Sequence, residues 1–246
     1  MTGRLTGRTA VVTGANGGIG GAVAQRFLDE GARVVFADLS ATPARTDTRW
    51  DAAVDIADES SVEALFAELT AAGWAPDVVV ANAGVQLFGH DAKAADLDLA
   101  VWQKTISINL TGTFLTLKHA IRSMLASGGG SIIATGSPTG LRGEGNDFTA
   151  YSTSKAGIHG LVRTAASAYA ADGIRINTVV PAYTETTLVS TISDDPSARA
   201  SIVSRIPMGR AGRPEDVEGI MVFLASDDAA FATGSLFTVD GGMATL

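Results

Sequence analysis

Tyr151 and Lys155 stand four residues apart in the stretch YSTSK, a spacing that puts both side chains on one face of a helix. Ile158, Val162 and Ala165 continue that face at helical spacing and turn it toward the interior. An unpartnered ammonium in such a place is costly, so a lysine there calls for a purpose. Beside a phenol it favours the phenolate and draws the tyrosine pKa down from about 10. Tyr151 is then a candidate general acid or base for a hydroxyl proton. The pattern Y-x-x-x-K also arises often by chance, and an ordinary amphipathic helix is the competing reading.

A second constellation, TGANGGIG, occupies residues 13 to 20 and follows an apolar run. Glycines at 14, 18 and 20 let the backbone turn tightly and approach a pyrophosphate, which the N–H groups of a following helix would attract. Asn16 and Ile19 belong to the same turn. The spacing differs from G-x-G-x-x-G, and a plain strand-to-helix turn is the alternative. Asp38 ends the next apolar run, 18 residues beyond Gly20. Its carboxylate can accept from a ribose 2′-hydroxyl and would repel a 2′-phosphate, which favours NAD over NADP. Gly17 and Leu39 put no cation nearby; a merely solvated Asp38 is the bland alternative. His90, His119 and His159 show no metal-ligand spacing, so no metal is expected, and His159 reads as flanking the buried helix face rather than sitting on it. Trp50, Trp74 and Trp102 read as scattered packing residues.

The elements that must position these groups alternate along the chain. Thr9–Thr13, Arg33–Ala37, Ala52–Val54, Asp77–Ala81, Ser131–Thr135, Ile174–Val180 and Leu236–Val239 read as seven strands. Between them lie helical stretches from Gly18 to Glu30, from Asp58 through Val62, Leu65, Phe66 and Leu69, from about Leu97 to Ser127, from about Ala150 to Ala171, and from Pro214 to Ala225. The alternation predicts an α/β fold, one doubly wound domain over residues 1–246 with a parallel sheet and helices on both faces. Residues 183–213 form the longest piece without a strand, a candidate substrate loop.

Composition narrows the partners. The 26 acidic and 18 basic residues give the 246-residue chain a formal charge of −8, a poor match for nucleic acid. With no Cys, disulfides, a thiolate nucleophile and Cys-ligated zinc are excluded. No apolar run of membrane-spanning length and no signal-like segment is read, so a cytoplasmic protein is expected. Counting Gly and leaving out Tyr, roughly 56% of residues are apolar against a usual 45–50%, a surplus that must be buried in the core or between subunits.

Taken together the motifs resemble the short-chain dehydrogenase/reductase family over essentially the whole chain. In order they are TGANGGIG, Asp38, Asp55 in VDIAD, ANAG at 81–84, Asn109 in SINLTG, Ser137, YSTSK, NTVVPAYTET at 177–186, GRPEDV and TGSLFTVDGG. The resemblance implies a Rossmann fold and hydride transfer between a nicotinamide and a carbinol carbon. Tyr151 would exchange the substrate's hydroxyl proton, Lys155 would bind the nicotinamide ribose and depress the Tyr151 pKa, and Ser137 would hydrogen-bond the substrate oxygen. Asn109 would hold a helix kink and a relay water. Asp55 and Ile56 would face the adenine, Asn82, Ala83 and Gly84 would line the cleft, and Thr184, after Pro181, would touch the carboxamide. Family members commonly form homotetramers, through helices corresponding to 97–127 and 150–171 and the C-terminal strand segment.

Three departures stand out: Pro181-Ala182 replaces the usual Pro-Gly, Pro138 follows Ser137, and the Ser137-to-Tyr151 gap is one residue longer than the commonest spacing. Thr139 is a minor alternative to Ser137. Polar residues near the expected substrate side (Arg142, Glu144, Asn146, Asp147 and Gln86) suggest a small polar substrate such as a sugar, polyol or hydroxy acid. The alternatives are a 3-oxoacyl thioester reductase, against which Asp38 and the net charge argue, and a non-catalytic cofactor sensor, which would have less need of the intact Asn109, Ser137, Tyr151 and Lys155.

Overall fold

The structure, a computed structural model, describes residues 3–143, 145–189 and 194–245. Its strands are β1 (Thr9–Thr13), β2 (Arg33–Asp38), β3 (Ala44–Arg45), β4 (Arg49–Ala53), β5 (Val78–Ala81), β6 (Gly130–Thr135), β7 (Ile174–Pro181) and β8 (Leu236–Val239). They make an 8-stranded sheet in the order β3-β4-β2-β1-β5-β6-β7-β8. Every pairing is parallel except β3 with β4. The sheet therefore has eight strands rather than the seven expected, because Ala44–Arg45 adds an antiparallel edge.

The third expected strand also starts earlier, at Arg49 rather than Ala52. Its polar residues hid it: the Arg49 guanidinium donates to Asp51 at 2.7 Å and lies 3.9 Å over the Phe36 ring, while Trp50 and Ala52 turn inward. Trp50 and Trp74 pack edge to face, 5.6 Å apart, so two of the three tryptophans share one cluster.

Period-2 alternation sorts the central strands onto two cores. Val11, Val35, Val79, Ile132 and Ile176 face α2 (Glu59–Ala71), α4 (Gly112–Ser127) and α5 (Thr149–Tyr169). Val12, Val34, Val80 and Ile133 face α1 (Gly18–Asp29) and α7 (Pro214–Ala225). The helix starts follow their caps: the Asp58 side chain accepts from Ser60 N at the head of α2, and Pro214 opens α7.

The stretch expected as one helix from Leu97 to Ser127 is three pieces. Asp98 caps α3 (Leu99–Thr105) by accepting from Ala100 N at 2.8 Å. A π-helical turn, Ile106–Thr111, follows, and then α4 runs to Gly128, whose φ of 96° ends it. The π turn carries Asn109, completely buried, and π turns often mark functional positions. In the 183–213 segment, a 3-10 turn at Thr187–Val189, α6 (Pro196–Val203) and a bridge from Thr184 to Gly212 are the regular parts among the described residues. Strand order reverses direction at β1, with β2 on one side and β5 on the other, which opens a crevice beyond their C-terminal ends.

Candidate active site

A cavity of about 740 Å³ opens at those C-terminal ends. Its floor at β1 is the glycine turn. Gly14 has φ +70°, and a Cβ there would lie 2.9 Å from the Ala83 backbone; at Gly20 a Cβ would lie 2.2 Å from the Gly14 carbonyl oxygen. The turn is therefore closed tightly against the loop after β5, and Gly20 lies behind the wall rather than on it. No side chain caps the start of α1 and its first turn has no acid, so its leading N–H groups are available to an anion. Gly14, Gly18 and Ile19 line the cavity here.

Asp38 lines the cavity at the end of β2. Its carboxylate accepts from Asn16 N at 3.1 Å and from Ser40 N and Oγ at 2.9 and 2.8 Å. Asn16 thus ties Asp38 to the glycine turn but is not itself on the wall. Asp55 and Ile56 line the cavity after β4, with the Asp55 carboxylate accepting from Ala57 N at 2.9 Å. Asn82, Ala83 and Gly84 form the wall after β5, where Asn82 N and Ala83 N both donate to Thr13 Oγ1. Pro181 and Thr184 close the far side from β7. The donor set fits a dinucleotide: free helix N–H groups for phosphates and a strand-end carboxylate for ribose hydroxyls.

Ser137, Tyr151 and Lys155 stand together on the same cavity. Lys155 is 5% exposed; its Nζ donates to Thr135 O at 2.9 Å and lies 5.7 Å from the Tyr151 ring centroid. Burial pulls the Lys155 pKa down to about 8. The Tyr151 phenol moves opposite to expectation: burial raises its pKa, and the Ser137 hydroxyl opposes that only in part. Desolvation of the phenolate is the larger of the two effects. Ser137 Oγ and Thr139 Oγ1 are 3.0 Å apart and both line the cavity, but the phenol's hydroxyl partner is Ser137.

Asn109 is not on the wall. Its Oδ1 accepts from Val85 N at 2.7 Å, and its Nδ2 donates to Val85 O at 2.8 Å and to Ser154 Oγ at 3.1 Å. Ser154 Oγ in turn donates to Tyr151 O at 2.7 Å. The π turn therefore clamps the loop after β5 to the helix that carries Tyr151.

Three placements differ from the sequence reading. His159, one turn beyond Lys155, is 2% exposed and sits on the buried face, not beside it. It fills the space left by Gly136, where a Cβ would come within 2.4 Å of its Nε2, and burial with the Lys155 charge holds its pKa near 4. Arg142, Asn146 and Asp147 are exposed and absent from the cavity wall, whereas Gln86, Phe88 and Phe148 are on it; Glu144 lies outside the described residues. Asp91 was missed altogether. It is 8% exposed, and its two oxygens accept from Ala150 N at 3.0 Å and Tyr151 N at 2.9 Å. It caps α5 from sixty residues away, since Phe148 at the cap position offers no hydrogen bond. A search for caps within one turn of a helix start finds no such partner.

The sequence model of a family described as enoyl-(acyl carrier protein) reductase matches residues 14–244. The chain belongs to the short-chain dehydrogenase/reductase family. Among its relatives, the cis-4-hydroxycyclohexanecarboxylate dehydrogenase of Sinomonas cyclohexanicum is 43% identical over 96% of each chain. A 3-oxoacyl-(acyl-carrier-protein) reductase of Thermotoga maritima is 32% identical over 98% of this chain and 99% of its own. The gluconate 5-dehydrogenase of Burkholderia cenocepacia, solved with NADP and tartrate, superposes with a TM-score of 0.91 at 28% identity, covering 99% and 97%. This dehydrogenase is accordingly an oxidoreductase that moves a hydride between a nicotinamide cofactor and a secondary alcohol or ketone. No helix among its described residues is long and apolar enough to cross a membrane.

Two predictions follow from the burial of Lys155 and Asp91. The drop of the Lys155 pKa from 10.5 to about 8 corresponds to about 3 kcal/mol of unfavourable ammonium burial. The folded pKa is the lower one, so the penalty is complete below pH 8 and is relieved as pH rises toward 10.5. Lys155→Met should therefore raise the Tm of the cofactor-free protein at pH 7 by roughly 5 °C after the lost Thr135 bond is allowed for, a gain that shrinks above pH 8 in thermal melts, while turnover is lost. Asp91→Ala strands two N–H groups at the head of α5 and should cost about 1–3 kcal/mol in denaturant unfolding. It should also cut kcat about tenfold through displacement of Tyr151, with Asp91→Asn recovering only part of both, because its amide has one acceptor oxygen where the carboxylate uses two.

Proposed function

We propose that the chain works as one dehydrogenase domain over residues 1–246 that prefers NAD and acts in the cytoplasm on a small polar secondary alcohol or its ketone. The observation that carries the catalytic part is the meeting of Ser137, Tyr151 and Lys155 on one cavity wall that begins at an uncapped glycine turn. The bound nicotinamide supplies the hydride acceptor or donor. Ser137 orients the substrate oxygen, and Tyr151 takes or returns the hydroxyl proton. Lys155 donates to the ribose hydroxyls with the protons not given to Thr135. Asn109 keeps the Val85 loop and the Tyr151 helix in register and offers a relay position at its π turn.

The preference for NAD rests on Asp38 and on a neighbourhood, Ala37 and Leu39, that brings no cation to the wall for a 2′-phosphate. A hydroxy acid, sugar or polyol is the substrate class; two relatives are named for a hydroxycyclohexanecarboxylate and for gluconate. Reduction of a 3-oxoacyl thioester is the second reading, favoured by the acyl-carrier-protein reductases among its relatives.

Tyr151→Phe should lower kcat at least a thousandfold while NAD binding, followed by calorimetry, stays within a few-fold of the parent; retained turnover removes Tyr151 from the reaction. In the parent, kcat/KM should favour NAD over NADP at least tenfold, and Asp38→Ser should narrow the gap. Phe114 and Leu125 on α4 are nearly half exposed, and the outer side of β8 pairs with no described strand. These surfaces support assembly as a homotetramer, and sedimentation velocity at micromolar concentration should return about four times the 25.1 kDa chain mass.

A further inference from the structure

The turn that carries Ser137 rests on α5 with almost no space between them. A Cβ at Gly136 would lie 2.4 Å from His159 Nε2 and 2.8 Å from Thr178 Cγ2. One at Gly140 would lie 2.7 Å from Ala156 N and 2.9 Å from His159 Cε1. The His159 ring therefore packs against both ends of the Gly136–Gly140 turn, whose Ser137 and Thr139 line the cavity. The turn is also tied to β7, through Gly136 N donating to Val179 O at 2.8 Å.

A histidine is a costly wedge. It is buried, and neither ring nitrogen has a hydrogen-bond partner of sound geometry among the described residues. Thr178 Oγ1, on the β7 residue that meets the same glycine, also lacks one. Polar atoms buried in this way cost stability that apolar side chains of similar size would not. The charges that act on the ring, Lys155 and Arg163, both belong to its own helix and disfavour its protonation. The turn and Thr178 present hydroxyls only. The Gly140 main chain favours the charged ring, but burial and the two cations outweigh it and hold the pKa at about 4. The wedge is thus a flat, uncharged ring at neutral pH.

We infer that His159 is a positioning residue for the reaction: its ring, wedged between Gly136 and Gly140, sets the height of the turn and so aims the Ser137 hydroxyl at the Tyr151 phenol. The inference rests on the reading that Ser137 and Tyr151 handle the substrate oxygen. His159 is absent from the cavity wall and acts only through the turn. The aim matters because the Ser137 hydroxyl is the group that draws the Tyr151 pKa down against its burial. The phenol otherwise faces Lys155 from its own helix, 5.7 Å from the ring centroid, with Asp91 at its main-chain N–H. A turn that sinks toward α5 carries Ser137 away, and the phenolate loses its donor. Oxidation then needs a higher pH to form the base.

The test uses the full-length enzyme with NAD and two small secondary alcohols, 2,3-butanediol and 3-hydroxybutyrate. His159→Leu, of similar volume but not flat, should lower kcat about thirtyfold through misaim of Ser137. Its KM and its calorimetric NAD affinity should stay within about threefold of the parent's, since the binding contacts are intact. The rising limb of its kcat/KM profile against pH should move to higher pH, and its Tm should not fall. His159→Gln, with a planar amide, should recover part of kcat. In a Ser137→Ala background His159→Leu should change kcat no further, because the residue it aims is gone. Crystals of His159→Leu should show the Ser137 hydroxyl displaced from Tyr151. Unchanged kcat, an undisplaced Ser137 or an equal loss in the Ser137→Ala background overturns the assignment. So does a loss of kcat matched by losses of Tm and NAD affinity. A parent idle on both alcohols, or a fully active Ser137→Ala, would instead count against the catalytic reading, and the place of Ser137 in the His159→Leu crystals would still decide the role of His159.

Discussion

An ammonium held inside the protein sets the terms for everything around the cavity. Lys155 is reached by almost no water, and its fixed protein partner is the carbonyl of Thr135 at the last position of β6. A main-chain oxygen is a weak answer to a full charge, which is why the lysine pKa falls. Lys155 also lines the cavity, so a polyhydroxylated ligand bound beside it would offset part of this cost and stabilise the fold.

Holding such a group requires a rigid surround, and the structure supplies it by long-range hydrogen bonds rather than by bulk. Asp91 caps α5 from the loop after β5, and Asn109 joins that same loop to Ser154 within α5. Both ties converge on Tyr151, whose backbone N–H and carbonyl are each claimed by a side chain from elsewhere or from its own turn. The helix that carries Tyr151 is therefore fixed at its first turn, where helices ordinarily fray. His159, neutral and wedged against Gly136, fills the underside of the Ser137 turn.

What could be read from the chain alone follows from the range of the interactions involved. The β1, β2, β5, β6 and β7 strands and the glycine turn are local patterns, and their periodicity and spacing were legible. The π turn at Asn109 was legible only as a kink implied by resemblance, because Ile106–Thr111 has no composition that separates it from the helices on either side. Arg49–Ala53 was half hidden because Arg49 and Asp51 neutralise each other on the strand's polar side. His159 was misplaced by drawing the buried stripe too narrowly: four residues after Lys155, it stacks on the same face. Asp91 was illegible in principle, since a cap sixty residues distant leaves no mark in either neighbourhood.

The two halves of the cavity differ in how they are held, and that difference bears on specificity. The cofactor side is made of strand ends in the middle of the sheet, with two large cores behind them. The substrate side leans on a small satellite cluster of Tyr183, Ile206, Ala211 and Met243. Few buried apolar contacts mean low local stability, so this side can be remodelled without loss of the fold. The longer Ser137-to-Tyr151 connection acts in the same way: Arg142, Asn146 and Asp147 are exposed while Phe148 turns inward beside Phe88. The outer side of the cavity is consequently built from side chains that the Rossmann core does not need, and they can change without disturbing the placement of Tyr151.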